Sequence, residues 1–317
     1  MSDPTILPAS DVALRRLVEA LREREYHFIT ATPLTHARVN GRPGNEEARS
    51  LRDVFGWSRP FKPGLLPSEL LGLMEEGGVL VREGALCRSL VRVSSLDGML
   101  FLHSAYPTTG AEAVFFGPDT YRFANAIAAE MERRPGPVRR AVDIGCGAGP
   151  GGIVVARAHP GAEVAMVDIN DAALRMARVN ALLAGATRAR AVNSNLLTGV
   201  EGRFDLIVSN PPYLVDPARR AYRHGGGDLG AGLSLAILDA ALERLSENGT
   251  LVLYSGAAVV NGADPFRSDV AARLAGRGVE WSYREMDPDV FGEELESEAY
   301  READRIAAVV LTVNRRK

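Results

Sequence analysis

Between residues 139 and 313, short runs rich in Val, Ile, Leu and Ala alternate with longer segments whose apolar residues recur every three to four positions. The runs at 139–144, 163–168, 189–193, 205–209, 249–254, 279–284 and 305–313 read as strands. The segments 151–158, 172–183, 233–245 and 265–275 read as helices. Apolar strands joined by amphipathic crossovers need a mostly parallel sheet covered on both faces, which is a doubly wound α/β fold. The irregular, acidic stretch 287–301 joins the last two runs and predicts an antiparallel edge pair.

The residues before about 115 have another texture. Ser10 and Asp11 are candidate caps for a helix carrying Val12, Leu14, Leu17, Val18 and Leu21. Residues 30–67 are rich in Pro, Gly and Arg breakers. Ser68 is a candidate cap for a short helix with Leu70, Leu71, Leu73 and Met74 on its apolar face, and alternating residues then flank a turn at Asp97-Gly98. This order suits a winged-helix-like module or a small α+β cap. A chain of 317 residues accommodates two domains, placed at 1–115 and 116–317.

A net charge of -3 argues against wrapping nucleic acid by bulk charge. No apolar run approaches the ~18–20 residues that span a bilayer, and residues 1–4 lack the basic start of a secretory leader. Cys87 and Cys146 cannot make a disulfide framework, so a cytoplasmic protein is expected. The five histidines show no metal-ligand spacing, and no metal is expected.

The first stretch with chemistry runs from Ala141 to Gly152. A strand ends in glycines (Gly145, Gly147 and Gly149) that let the backbone turn tightly and approach a ligand before a helix begins. Nicotinamide, flavin and methyl-donor sites share this pattern. Asp143 separates them, because an acid there repels a pyrophosphate but suits a ligand with an ammonium group. S-adenosylmethionine carries that ammonium, and its carboxylate can be received by the helix N-terminus. Asp168 closes the next strand, where it can accept the ribose hydroxyls. Asn195 can meet an adenine edge, with Ile169 and Leu196 on the ring faces; Asn195 equally suits a polar turn. Cys146 has no histidine near it in sequence and reads as a small residue packed in the turn.

The second stretch is Phe204 to Tyr213, an apolar strand running into Asn210-Pro211-Pro212-Tyr213. This places an amide, two rigid residues and an aromatic ring at the carboxyl edge of the sheet, where open α/β folds bind ligands. A planar nitrogen has a delocalised lone pair and is a poor nucleophile. The Asn210 side-chain oxygen and the Pro211 carbonyl can each accept one of its N–H groups and aim its lone pair at a methyl-sulfonium. Both acceptors bind more strongly as the nitrogen becomes positive. The prolines hold that carbonyl in place, and Tyr213 can stack on a flat substrate.

Together these residues resemble the class I S-adenosylmethionine-dependent methyltransferases. They are most similar to the small-domain group that holds the release-factor glutamine N5-methyltransferases (HemK-type) and several RNA base N-methyltransferases. The resemblance spans about 115–313 and includes Phe116-Gly117-Pro118-Asp119-Thr120, where the family has Pro and Thr bordering the donor pocket. It implies a seven-stranded sheet with a reversed final strand, donor binding by the glycine loop, and release of S-adenosylhomocysteine. Asn195 stands where many relatives carry an acid, and the N-terminal region is longer than the family's small helical domain.

The leading functional expectation is methylation of a protein glutamine amide, with N-methylation of a guanine or adenine in rRNA or tRNA as competitor. A non-catalytic donor-binding module is the reading from another class. Arg219, Arg220, Arg223 and His224, and Arg15, Arg16, Arg22 and Arg24 on the first helix, suit either RNA phosphates or a solvated arginine face. The run Gly225–Gly230 suits a mobile lid or a plain surface loop.

Overall fold

The computed structural model describes residues 8–134, 136–220 and 222–315; residues 1–4, read above for a leader, lie outside them. The N-terminal region contains α1 (Ala9–Glu23), α2 (Pro33–Asn40), α3 (Leu51–Phe55) and α4 (Ser68–Glu76). Two antiparallel hairpins follow, β1 (Leu80–Glu83) with β2 (Leu86–Ser89) and β3 (Val91–Leu96) with β4 (Met99–Ser104). The region is therefore α+β. Helices α2 and α3 fall in the stretch read as breakers, where Thr32 and Ser50 each accept a backbone N–H with their hydroxyl oxygens and start a short helix.

Two capping expectations are corrected. Helix α1 starts after Pro8, so Ser10 and Asp11 lie inside its first turn. Asp11 is instead buried, and its carboxylate receives Arg175 Nε at 2.5 Å. Helix α4 starts after Pro67, with Ser68 as its first residue. The turn at Asp97-Gly98 forms as read: both residues take positive φ and join Leu96 to its partner Met99.

The second region runs through α5 (Pro118–Arg133), β5 (Arg140–Ile144), α6 (Pro150–Ala158), β6 (Glu163–Asp168), α7 (Asp171–Leu183) and β7 (Ala189–Asn193). It continues with β8 (Phe204–Ser209), α8 (Gly232–Arg244), β9 (Leu245–Val260), α9 (Pro265–Leu274), β10 (Val279–Asp287) and β11 (Ala303–Arg315). Strand β9 outruns the expected 249–254 because it pairs with β11 as far as Val260. The seven strands lie in the order β10-β11-β9-β8-β5-β6-β7, with β11 antiparallel to both its neighbours and the other pairings parallel. From β5 the chain moves outward to β7 and then crosses back to β8 on the opposite side. The carboxyl ends of β5 and β8 thus flank the topological switch point. Ser209 Oγ donates to the Ile144 carbonyl at 2.7 Å and ties those two ends together.

Helices α5, α6 and α7 cover one face of the sheet through Phe123, Ile127, Ile153 and Leu174, and α8 and α9 cover the other through Leu235, Leu238, Phe266 and Val270. The N-terminal region shares this packing. Val179 and Leu183 of α7 enter a core with Leu14, Leu17 and Leu21, while Leu96, Met99 and Phe101 join the core of the sheet. Burying each such side chain contributes about 1.5–3 kcal/mol. Asn180, also on α7, accepts the Leu102 N–H at 2.8 Å and donates to the carbonyls of Leu102 and Ala148, each at 2.9 Å. One carboxamide therefore closes the open edge of β4 and hooks it to the glycine loop.

Candidate active site

The glycine loop leaves β5 through Gly145, Gly147 and Gly149, whose φ values are 67°, 53° and 85°. Gly149 caps α6 in the left-handed region, and a methyl group there would lie 3.0 Å from Met166 Sδ. Beneath the loop, Asp143 Oδ2 accepts the Gly152 N–H at 2.8 Å, while its buried Oδ1 has no partner. Burial raises the Asp143 carboxyl to about 7, with Asp168 pushing the same way. Asp168 Oδ2 accepts the Gly147 N–H and its Oδ1 the Asn170 N–H, each at 2.9 Å. Each oxygen keeps a lone pair for a further donor. Burial raises the Asp168 pKa as well. The Cys146 thiol is buried and pushed well above its usual range by that burial, with Asp143 and Asp168 adding to it, so it is a poor nucleophile.

These residues fit S-adenosylmethionine. The orphaned oxygen of Asp143 is the kind of acceptor that an ammonium group, or a water held by it, satisfies. Ile169, 61% exposed, and the half-buried Leu196 offer apolar surface on which a flat ring can rest, and Asn195 is exposed beside them. Thr120 is buried, with its hydroxyl accepting the Gly117 N–H at 3.2 Å.

Past β8, neither the half-buried Asn210 carboxamide nor the Pro211 carbonyl has a hydrogen-bond partner among the described residues. The rest of the motif is fixed. Tyr213 is buried, its ring lies 5.9 Å from that of Phe291, and its hydroxyl faces Asp119. Asp119 also receives the Tyr254 hydroxyl at 2.6 Å and Arg122 Nη1 at 3.2 Å. Burial raises the Asp119 pKa against the lowering effect of these donors.

Residues Gly225–Gly230 form a support for this motif, neither an open lid nor a plain surface loop. Gly225 and Gly230 are buried, and a methyl group on either would overlap backbone of Tyr213 or of the other glycine. The Gly225 N–H donates to the Leu214 carbonyl at 2.8 Å. Of the arginines after the motif, Arg220 and Arg223 differ from both expectations. Arg220 grips Asp216 through Nη2 at 2.5 Å and Nε at 2.9 Å, and Arg223 pairs with Glu294 and Asp216. His224 Nδ1 accepts the Asp216 N–H at 3.2 Å, while Arg219 stays exposed. On α1, Arg24 pairs with Glu69, Arg22 bonds to the Leu183 carbonyl, Arg15 lies 3.6 Å from Glu19, and Arg16 is exposed.

One cavity of about 430 Å³ is lined by Thr120, Asp143, Gly145, Cys146, Gly147, Asp168, Ile169, Asn195, Leu196, Asn210, Pro211, Pro212 and Tyr213. Gly149 stands behind the wall as the cap of α6. The same cavity is walled by Arg92, Tyr106, Pro107 and Thr108 from the N-terminal region and by Asp119 and Phe291, which sequence reasoning missed. No local signal marks Phe291, which tertiary packing brings in; Asp119 adjoins Thr120 and could have been found there. Among the described residues no group of three His, Cys, Asp or Glu could hold a metal, and no helix is long and apolar enough to cross a membrane.

Residues 123–259 match the family model of the methyltransferase small domain. The chain is 34% identical over 192 residues to the release factor glutamine methyltransferase of Deinococcus radiodurans, covering 59% of this chain and 66% of that one. It is 37% identical over 130 residues to the ribosomal protein uL3 glutamine methyltransferase of Xanthomonas campestris, covering 38% of this chain and 42% of that one. A shorter match, 38% identical over 84 residues, joins it to the ribosomal RNA small subunit methyltransferase C of Haemophilus influenzae, covering 26% of this chain and 25% of that one. The chain thus spans just under two thirds of the first relative's length and less of the other two. The glycine loop, its two acids and the Asn-Pro-Pro-Tyr edge all fall inside residues 123–259, the segment that is similar to the methyltransferase small domain.

Proposed function

We propose that this protein transfers a methyl group from S-adenosylmethionine to a planar nitrogen, and that this nitrogen is a glutamine amide of a cytoplasmic protein. The observation that carries the reading is the pair of unengaged acceptors, Asn210 and Pro211, at the switch point beside the glycine loop and in the same cavity. When bound, the donor supplies an electrophilic methyl group. Asn210 and Pro211 hold the two N–H groups of the acceptor so that its lone pair is directed forward, and they bind it more tightly as positive charge develops. Tyr213 lines the acceptor side while Asp119 and the Gly225–Gly230 support keep the motif from shifting, so the two acceptors need no reorganisation during transfer. Asp168 receives the ribose hydroxyls, and Asp143 the ammonium end.

The protein acceptor is favoured over RNA by the arginines beside the cavity. Arg220 and Arg223 are already neutralised by Asp216 and Glu294, so the two arginines that follow the motif and line the cavity offer little charge to a phosphate backbone. Residues up to about 115 are assigned to acceptor selection because they supply one wall of the cavity. The test is a lysate incubated with radioactive methyl donor and this protein. Counts released by protease support the glutamine reading, counts released by ribonuclease replace it with RNA methylation, and donor binding without transfer leaves a binding module.

A further inference from the structure

Arg92, in β3, is only 3% exposed yet lines the cavity. Its Nε donates to the Ser104 carbonyl at 3.2 Å, and its two terminal nitrogens have no hydrogen-bond partner among the described residues. Among the described residues no carboxylate pairs with it. His36 and His103 are neutral, held below their usual range by burial and by Arg92 itself. The hydroxyls of Tyr26 and Tyr121 are engaged by the Val93 carbonyl and the Thr30 N–H. Arg220 and Arg223, elsewhere around the same cavity, both have acid partners. A buried guanidinium without a counter-ion is costly to keep, and at a cavity wall it is a preformed receptor for an anion.

We propose that Arg92 is a carboxylate-binding subsite in the wall that the N-terminal region gives to the cavity. Its planar fork matches a carboxylate in bidentate geometry. The proposal rests on the reading of this cavity as the site of methyl transfer. The carboxylate has two possible sources, the amino-acid end of the methyl donor or an acidic group of the acceptor near the target nitrogen.

The full chain, labelled with ¹⁵N-arginine, separates these sources. Loss in Arg92→Lys identifies the Arg92 Nε–Hε signal. Sodium formate is titrated against matched sodium chloride, with and without S-adenosylhomocysteine, whose affinity is also measured in wild type and Arg92→Met. Formate, and not chloride, is expected to shift the signal saturably. If S-adenosylhomocysteine abolishes that response and Arg92→Met weakens its binding by about 10- to 100-fold, the donor supplies the carboxylate. If the response survives S-adenosylhomocysteine, the acceptor supplies it. No saturable formate shift together with equal S-adenosylhomocysteine affinity in both proteins overturns the proposal. Failure of S-adenosylhomocysteine to bind wild type strikes the methyl-transfer reading, while formate on the free protein still decides the role of Arg92.

Discussion

Replacing Asn180 by leucine keeps its branched outline, adds some bulk and removes one carboxamide that serves three backbone groups. Asn180 is 1% exposed, so the Leu102 N–H, the Leu102 carbonyl and the Ala148 carbonyl would all lose a partner away from water. Each unsatisfied group costs roughly 1–3 kcal/mol, and local relaxation recovers part of that, which gives a net loss of about 3–5 kcal/mol. Urea unfolding of the full chain measures it as a lower midpoint at unchanged slope. Because Ala148 belongs to the glycine loop, affinity for S-adenosylhomocysteine should fall in the same variant, read by calorimetry. A stability loss below about 1 kcal/mol would show that water or a shift of β4 replaces the carboxamide, and would refute its role as the hook between the two regions.

Asn210→Ala should leave donor affinity within about twofold and cut the turnover number by about 100-fold or more; an unchanged turnover number removes the acceptor role. Asp168→Ala should weaken donor binding by at least about tenfold in a calorimetric titration, and equal affinity would cancel its ribose assignment. Burial raises the folded Asp143 carboxyl to about 7 from the 3.8 of a freely hydrated one, so the folded state holds a proton that the unfolded state releases across that window. Stability should therefore fall as pH rises from about 4 to 7, and Asp143→Asn, which keeps an acceptor for the Gly152 N–H, should flatten the slope; parallel curves for the two proteins contradict this.

Features that the sequence holds close together could be read from it directly. Strand–helix alternation leaves few topologies once crossovers must be right-handed, so the parallel sheet and the reversed last strand followed from residues 139–313. Asp143, Asp168 and Asn210 sit at strand ends, where a short apolar run announces them. The other walls of the cavity were not legible. Arg92 reads as one polar position in an alternating strand, and Phe291 reads as an apolar residue in an acidic connection. Only tertiary packing brings them to the site. The run Gly225–Gly230 was misread for a related reason. Glycines permit mobility, but they also permit two backbones to touch, and the sequence does not show what lies 3 Å away. Ser10 and Asp11 misled because Pro8 had already begun the helix, freeing Asp11 to meet Arg175.

The buried contact between Gly225, Gly230 and the backbone of Tyr213 decides where the mouth of this cavity can widen. A hinge needs clearance, and that side of the motif has none: any swing there would drag Asn210 and Pro211 out of line. The walls left to vary are those that do not share this contact, among them Tyr106 and Pro107 on the same cavity. Residues there can change while the seat of Asn210 and Pro211 stays as it is.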